Sequence, residues 1–397
     1  MMTRISSTFS VLLLVSLRFS AAGGHLTDRE CGRDLRNLWL DVVFVIDDSA
    51  GMTSAGMAEV SANIATILGN GTTIGTGTRD SRSTRVGLVT YNSQATVRAD
   101  LNMFESYDQL ATYLDKRLTG VSDSADSFIA AGLEAAEEVL KTGSRDDVYQ
   151  KMVIVYASTY QSTGETSPLS VAERLKSDGV TVSTVAVVES SDDVVAPLAS
   201  ISTPSFNFTT SSPNLVTVLQ NAMLRVNCFC RRGWTQLLDA SGLKFGVCLK
   251  TAEITANWIA AKQACHVEVR NGYLVNEGSQ QKHDFVLELV KSNAALRRPY
   301  KYHIGLSYSN GVWSWEQPYG KSTRRLSPDD YTDWLPDFPV PDSTKVVVAN
   351  RQTANNNNNN ETRWENINRV GDADFYVCEV SACDTDNFCE GFDWKNE

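Results

Sequence analysis

Four apolar runs limit what this chain can fold into. Residues 42–46 (VVFVI), 85–91 (RVGLVTY), 152–156 (MVIVY) and 180–187 (VTVSTVAV) are rich in β-branched and aromatic side chains. Continuous runs of this kind mark strands buried on both faces. Helical patterns lie between them. At 56–68, Met57, Val60, Ile64, Ile67 and Leu68 recur near a 3.6-residue period. Further helices are expected at 107–118, 128–140 and 169–176, and a short edge strand at 96–101. Repeated β-α-β units predict an α/β doubly wound parallel sheet with helices on both faces. Ligands on such sheets sit at the carboxyl ends of the strands.

The alternation stops near Asn227, and the chain has 397 residues, too many for one ordinary core. The sequence therefore divides into a signal peptide at 1–22, a linker at 23–40, the α/β domain at 41–227, a second domain at 228–380 and a tail at 381–397. Apolar residues make up 42% and charged residues 21%, a globular composition. The formal net charge of −11 leaves no basic footprint for nucleic acid.

The compartment is read from the N-terminus. Arg4, an apolar run at 9–17 and small residues at 20–22 have the plan of a secretory signal peptide. The run falls short of the roughly 20 residues needed to span a bilayer, and no later stretch is long enough, so no membrane span is expected. The expected location is secreted, extracellular. The eight cysteines, Cys31, Cys228, Cys230, Cys248, Cys265, Cys378, Cys383 and Cys389, suit complete pairing in an oxidising compartment. No CxxC pair exists and the four histidines are scattered, so a zinc site is not expected. Sequons at Asn70, Asn207 and Asn360 predict glycosylation on exposed loops.

At the end of the first strand, residues 45–52 read VIDDSAGM. This resembles the opening of von Willebrand factor A domains, whose D-x-S-x-S motif, a second-loop Thr and a third-loop Asp build a divalent-metal site. Asp47 and Ser49 match the first two ligands. Gly51 stands at the third, Ser127 near the second-loop Thr, and Ser158 where the third-loop Asp belongs. Asp47, Ser49 and Ser127 are thus the candidate metal residues, for a weakly held Mg2+ or Ca2+ at most. Hard cations want oxygen ligands in a full array, so a degenerate site kept for loop hydrogen bonding is preferred over a weakened adhesion site. No cofactor is firmly expected. Termini of α/β domains often lie close together, and several family members close the domain with a terminal disulfide, here Cys31–Cys228.

Tryptophan becomes frequent in the second half, with Trp234, Trp258, Trp313, Trp315, Trp334, Trp364 and Trp394. A hairpin is expected at 243–248, helices at 252–264 and 279–289, and strands at 302–306, 312–315 and 374–379, a mixed α+β pattern. Cys230 to Trp234, Cys265, His303–Ile304–Gly305–Leu306, Trp313 with Trp315, and Tyr376–Val377–Cys378–Glu379 fall in the order of a long-form C-type lectin-like domain. The resemblance implies bridges Cys230–Cys248 and Cys265–Cys378, which leaves Cys383 and Cys389 to pair. Trp313 and Trp315 are read as core. Sugar-binding members hold Ca2+ with an E-P-N or Q-P-D loop and a W-N-D strand. Here Phe338–Pro339–Val340 and Trp364–Glu365–Asn366 occupy those slots. Oxygens remain at Asp333, Asp337, Asp342, Glu365 and Asn366, which form a candidate ligand loop too thin for the 6–8 oxygens of Ca2+. The Asn-rich tract 355–360 reads as a flexible insertion.

The pairing of the two domains resembles secreted C-type lectin domain-containing proteins of nematodes. It implies a non-enzymatic recognition protein in innate defence that binds an extracellular glycan, microbial surface or protein ligand, without the usual Ca2+-dependent sugar site. The alternative is a matrix or adhesion component that binds protein ligands through the A-like domain. Neither a G-x-S-x-G motif nor a phosphate-cradling glycine loop is present.

Overall fold

A computed structural model describes residues 28–389, apart from 70, 76–81, 147, 162–166, 188–193, 319 and 353–360. The signal-peptide stretch 1–22, Asn70, Asn360 and the tract 355–360 lie outside the described residues.

The first unit runs β1 (Leu40–Asp47), α1 (Ser54–Leu68), β2 (Arg85–Tyr91), β3 (Ala95–Ala99), α2 (Tyr107–Arg117), α3 (Ile129–Gly143), β4 (Gln150–Ala157), α4 (Pro168–Ser177), β5 (Val180–Ala186), α5 (Val195–Ile201), β6 (Asn207–Thr209) and α6 (Leu215–Val226). The sheet order is β3-β2-β1-β4-β5-β6. Only β3 is antiparallel to its neighbour. All eight residues of β1 are buried, because alternate side chains feed cores on opposite faces of the sheet. Val42, Phe44 and Ile46 join Met57 and Ile64 of α1 and Met223 of α6. Val43 and Val45 join Leu133 of α3 and Val171 of α4. Gly132 permits the close approach of α3, since a Cβ there would lie 2.7 Å from Val45 Cγ1. Strand order reverses at β1, which sits between β2 and β4, so the loops after β1 and β4 diverge around a crevice.

The second unit runs β7 (Thr235–Leu238), β8 (Lys244–Thr251), α7 (Trp258–Glu268), β9 (Tyr273–Leu274), α8 (Gln280–Ser292), β10 (Lys301–Ser309), β11 (Val312–Trp315), β12 (Arg324–Arg325), β13 (Val347–Gln352), β14 (Thr362–Ile367) and β15 (Phe375–Ser381). Its main path is β12-β11-β10-β15-β8-β7, with β13 bridging β10 and β14. Trp315, Trp364, Tyr302 and Ile304 centre its core. Gly305 lies where a Cβ would come within 2.4 Å of the Leu274 carbonyl oxygen, so only glycine lets β10 pass so close.

The helix expected at 252–264 starts later, at Trp258, and continues to Glu268. Asn257 caps it by accepting from the Ala260 amide. Upstream, Ala252 and Ala256 are held extended by backbone bonds to Tyr376 and Asp374.

Four disulfides join Cys31–Cys228, Cys230–Cys248, Cys265–Cys378 and Cys383–Cys389. Of the stretch expected as linker, the described residues 28–31 pack against the second unit. Glu30 bridges to Phe245, Arg29 forms a two-pronged ion pair with Asp384 at 2.7 and 2.8 Å, and Asp28 reaches Lys282 at 2.7 Å. The two units meet at Trp39, which is fully buried among Tyr149, Phe229 and Phe388 in edge-on contacts. Its indole N–H donates to the Asp384 carbonyl at 3.3 Å. Among the described residues, no helix is long and apolar enough to cross a membrane.

Candidate functional site

The crevice of the first unit is built around Asp47, the last residue of β1. Its Oδ1 accepts from the Ser49 amide at 2.9 Å. Its Oδ2 accepts from the Ser127 hydroxyl at 3.0 Å, the Ser158 hydroxyl at 2.6 Å and the Ser158 amide at 3.1 Å. Asp47, Ser49 and Ser127 are all buried. The sequence-predicted residues are therefore together, with Ser158 added from the loop after β4. Gly51 leaves room for this arrangement: a Cβ there would lie 3.0 Å from Ser158 Oγ and 3.6 Å from Ser49 Oγ. Asp48 turns elsewhere, accepting from Asn92 Nδ2 at 2.8 Å and lying 3.4 Å from Arg98. Asp123 and Asp126 are exposed. The donor set is one carboxylate already holding four hydrogen bonds, with hydroxyls that donate to it. An octahedral cation wants the reverse, oxygens with lone pairs free.

In the second unit the candidate ligand loop does not converge. Asn366 ties down the loop itself: its Nδ2 donates to the carbonyls of Val340 and Lys345 at 2.9 and 2.8 Å, and its Oδ1 accepts from the Val340 amide at 2.8 Å. Glu365 pairs with Arg351 at 2.9 Å and Lys301 at 3.5 Å. Asp342 caps its own turn through the amide and hydroxyl of Thr344. Asp337 is exposed. Asp333 faces away from these, toward His283 and Arg363 at 3.8 and 3.7 Å. Among the described residues, no group of three His, Cys, Asp or Glu side chains could hold a metal ion.

Sequence reasoning missed a buried polar network beneath Asp333. Glu277 is fully buried and accepts from Asn350 Nδ2 at 2.7 Å and Trp364 Nε1 at 2.9 Å. His283 Nδ1 lies 2.8 Å from Glu277 Oε2, the oxygen that Trp364 also reaches. Burial alone would lower the His283 pKa. The charge and hydrogen bond of Glu277 outweigh it, with Asp333 and Asp284 adding, and the imidazole is pushed up to about 9. A second network holds Lys282, also fully buried, between Glu379 at 2.9 Å, Asp28 at 2.7 Å and Asn276 at 3.0 Å. The only sequence signal was the placement of Glu277, Lys282 and His283 around the start of an expected helix.

Asn207 is a correction. Expected on an exposed loop, it lies in β6 and is half-buried. Its Nδ2 donates to the Val195 carbonyl at 3.2 Å and its Oδ1 accepts from Thr184 at 2.6 Å, so the amide that would carry a glycan is turned into the sheet edge.

Comparison with known proteins fits both halves. The von Willebrand factor type A domain model matches residues 41–222, and the lectin C-type domain model matches residues 254–390. C-type lectin domain-containing protein 160 of Caenorhabditis elegans is 28% identical over 372 residues, covering 91% of this chain and 56% of its own length. The chain thus spans little more than half of that relative. Among solved structures, proximal thread matrix protein 1 of the mussel byssus is 22% identical, over 49% of this chain and 47% of its own, with a TM-score of 0.41. Human lithostathine is 20% identical, over 38% of this chain and 99% of its own, with a TM-score of 0.29. Family models, sheet topology and disulfides agree that the chain is a von Willebrand factor type A domain followed by a C-type lectin domain.

Proposed function

We propose that this is a secreted recognition protein of innate defence, whose lectin domain binds an extracellular glycan or microbial surface without a chelated metal ion. Both domain families are generally non-enzymatic binding modules, and four disulfides suit an extracellular setting. The observation that carries the metal-free reading is the state of Asn366 and Glu365. Their oxygens and amide are spent on Val340, Lys345, Arg351 and Lys301, so the slot that would chelate calcium is filled by the protein's own contacts. Asp47 supports the same reading in the A domain, since four protein donors already engage its carboxylate, three of them on Oδ2.

The test is binding of the secreted protein to a glycan and microbial-surface array, in Ca2+ plus Mg2+ and again in EDTA. The expected result is the same signal in both buffers. Signal lost in EDTA would refute the metal-free reading, and absence of signal in both would refute glycan recognition.

A further inference from the structure

A cleft of about 510 Å³ opens between α8 and the start of β14, lined by both together with Asp333. Neither Asn366 nor Val340 lines it, so it is separate from the slot where relatives of this fold would chelate calcium. Its volume lies in the range of small-molecule sites, roughly 300–1,000 Å³.

The cleft floor carries His283, only 2% exposed. Its Nδ1 is fixed by Glu277, and Glu277 is fixed in turn by Asn350 and Trp364. That shell orients the ring and leaves Nε2 facing the cleft. Asp333 Oδ2 is 3.8 Å from Nε2, past hydrogen-bond reach. The contact of Nε2 with Asp333 is thus a loose charge contact and not a hydrogen bond. The Tyr331 hydroxyl, on a ring that packs beside His283, is buried without a partner among the described residues. A nearly buried donor without an acceptor costs free energy unless a ligand or water supplies one.

The rest of the lining says what kind of ligand would fit. Asp284, Asp333 and Glu361 offer acceptors, while His283 and Arg363 offer donors. Lys291 is occupied by Glu288 at 2.6 Å. Arg363 Nε is only loosely engaged, 3.7 Å from Asp333 Oδ1. Positive and negative groups are interleaved, so neither an anion nor a cation finds a field of one sign. A hydroxyl group both donates and accepts, and it can bridge a carboxylate to an imidazolium or guanidinium in one contact.

We propose that this cleft binds a neutral, hydroxyl-rich sugar, with His283 and Arg363 donating to its hydroxyls and Asp333 accepting from them. This rests on the metal-free reading above and assigns it a place. Glu277 is a positioning residue: it holds the imidazole ring and touches no ligand.

The experiment is titration of the full-length protein, in EDTA, with glucose, galactose, mannose, N-acetylglucosamine and their disaccharides. Ligand-observed NMR reads binding, and the His283 imidazole resonances read location. Asp333→Asn and Arg363→Ala change partly exposed groups, and a thermal melt checks that each still folds. The expected result is at least one sugar that binds wild type, shifts the His283 resonances and loses tenfold or more in affinity in both variants. Wild-type binding that persists unchanged in both variants overturns the cleft assignment and leaves metal-free recognition standing. No binding to any sugar overturns the cleft assignment, and binding that appears only when Ca2+ is added back in excess of EDTA overturns both.

Discussion

Replacing Lys282 with Met tests whether the N-terminal segment and the lectin domain are held by a buried charge. The Lys282 ammonium donates to three oxygens, on Asp28, Asn276 and Glu379, and its side chain is fully buried. Removing one partner of a buried pair costs about 3–5 kcal/mol, because the remaining charge is stranded. Glu379 would keep the Tyr273 hydroxyl at 2.6 Å and two groups of Asn276 at 3.0 Å. Those contacts place the loss near the lower end, about 3 kcal/mol. For a domain of this size, 1 kcal/mol moves the midpoint by roughly 2–4 °C, so the lectin-domain transition should fall by about 6–12 °C. The assay is calorimetry of the full-length protein, with the two domain transitions resolved. The double variant Lys282→Met with Glu379→Gln removes the more deeply buried of the two stranded carboxylates, leaving Asp28 at the edge, and should recover part of the loss. A midpoint for Lys282→Met within about 2 °C of wild type, or a double variant no better than the single, would refute the reasoning.

Other consequences follow from the same contacts. The His283 pKa is raised from 6.5 to about 9, facing Glu277, Asp333, Asp284 and Tyr331. A raised folded-state value contributes stability below pH 6.5 that is lost as pH climbs through 9, about 3 kcal/mol in all. Urea midpoints at pH 6 and pH 9.5 should show it, and His283→Gln should flatten the difference. In the A domain, Gly51→Ser with Ser158→Asp would restore a hydroxyl and a carboxylate beside Asp47. That variant should be destabilised without metal and regain its midpoint in Mg2+, a response wild type lacks in the same melt. Replacing Cys31 and Cys228 with Ser opens a loop of sequence separation 197. The chain-entropy cost is up to about 5 kcal/mol, and denaturant titration should show less, because Arg29 and Asp28 still anchor the segment.

The parallel sheet was legible because its signal is local. Runs such as 42–46 are apolar on both faces, and β1 is buried along its whole length. The crevice around Asp47 was legible as a short motif with characteristic neighbours. Helix α7 was misplaced because apolar periodicity does not register an Asn cap, and Asn257 decided its start. The Glu277 network was legible only as charged residues near the start of an expected helix. Its partners Asn350 and Trp364 are 73 and 87 residues away in sequence, and only the fold brings them together. The Trp39 contact between units has the same cause, since Phe388 and Asp384 lie at the far end of the chain. Asn207 fits its sequon, but a three-residue tripeptide carries no information on which way the amide turns.

On the proposed reading, recognition proceeds without a bound divalent ion. Isothermal titration of the full-length protein with Ca2+ and with Mg2+ tests it most directly. Extracellular calcium modules bind at roughly 10⁻⁴–10⁻³ M. No saturable heat is expected from either ion across that range, and no change in either unfolding midpoint. A saturable isotherm at or below about 1 mM, abolished by Asp47→Ala or Asn366→Ala, would contradict it.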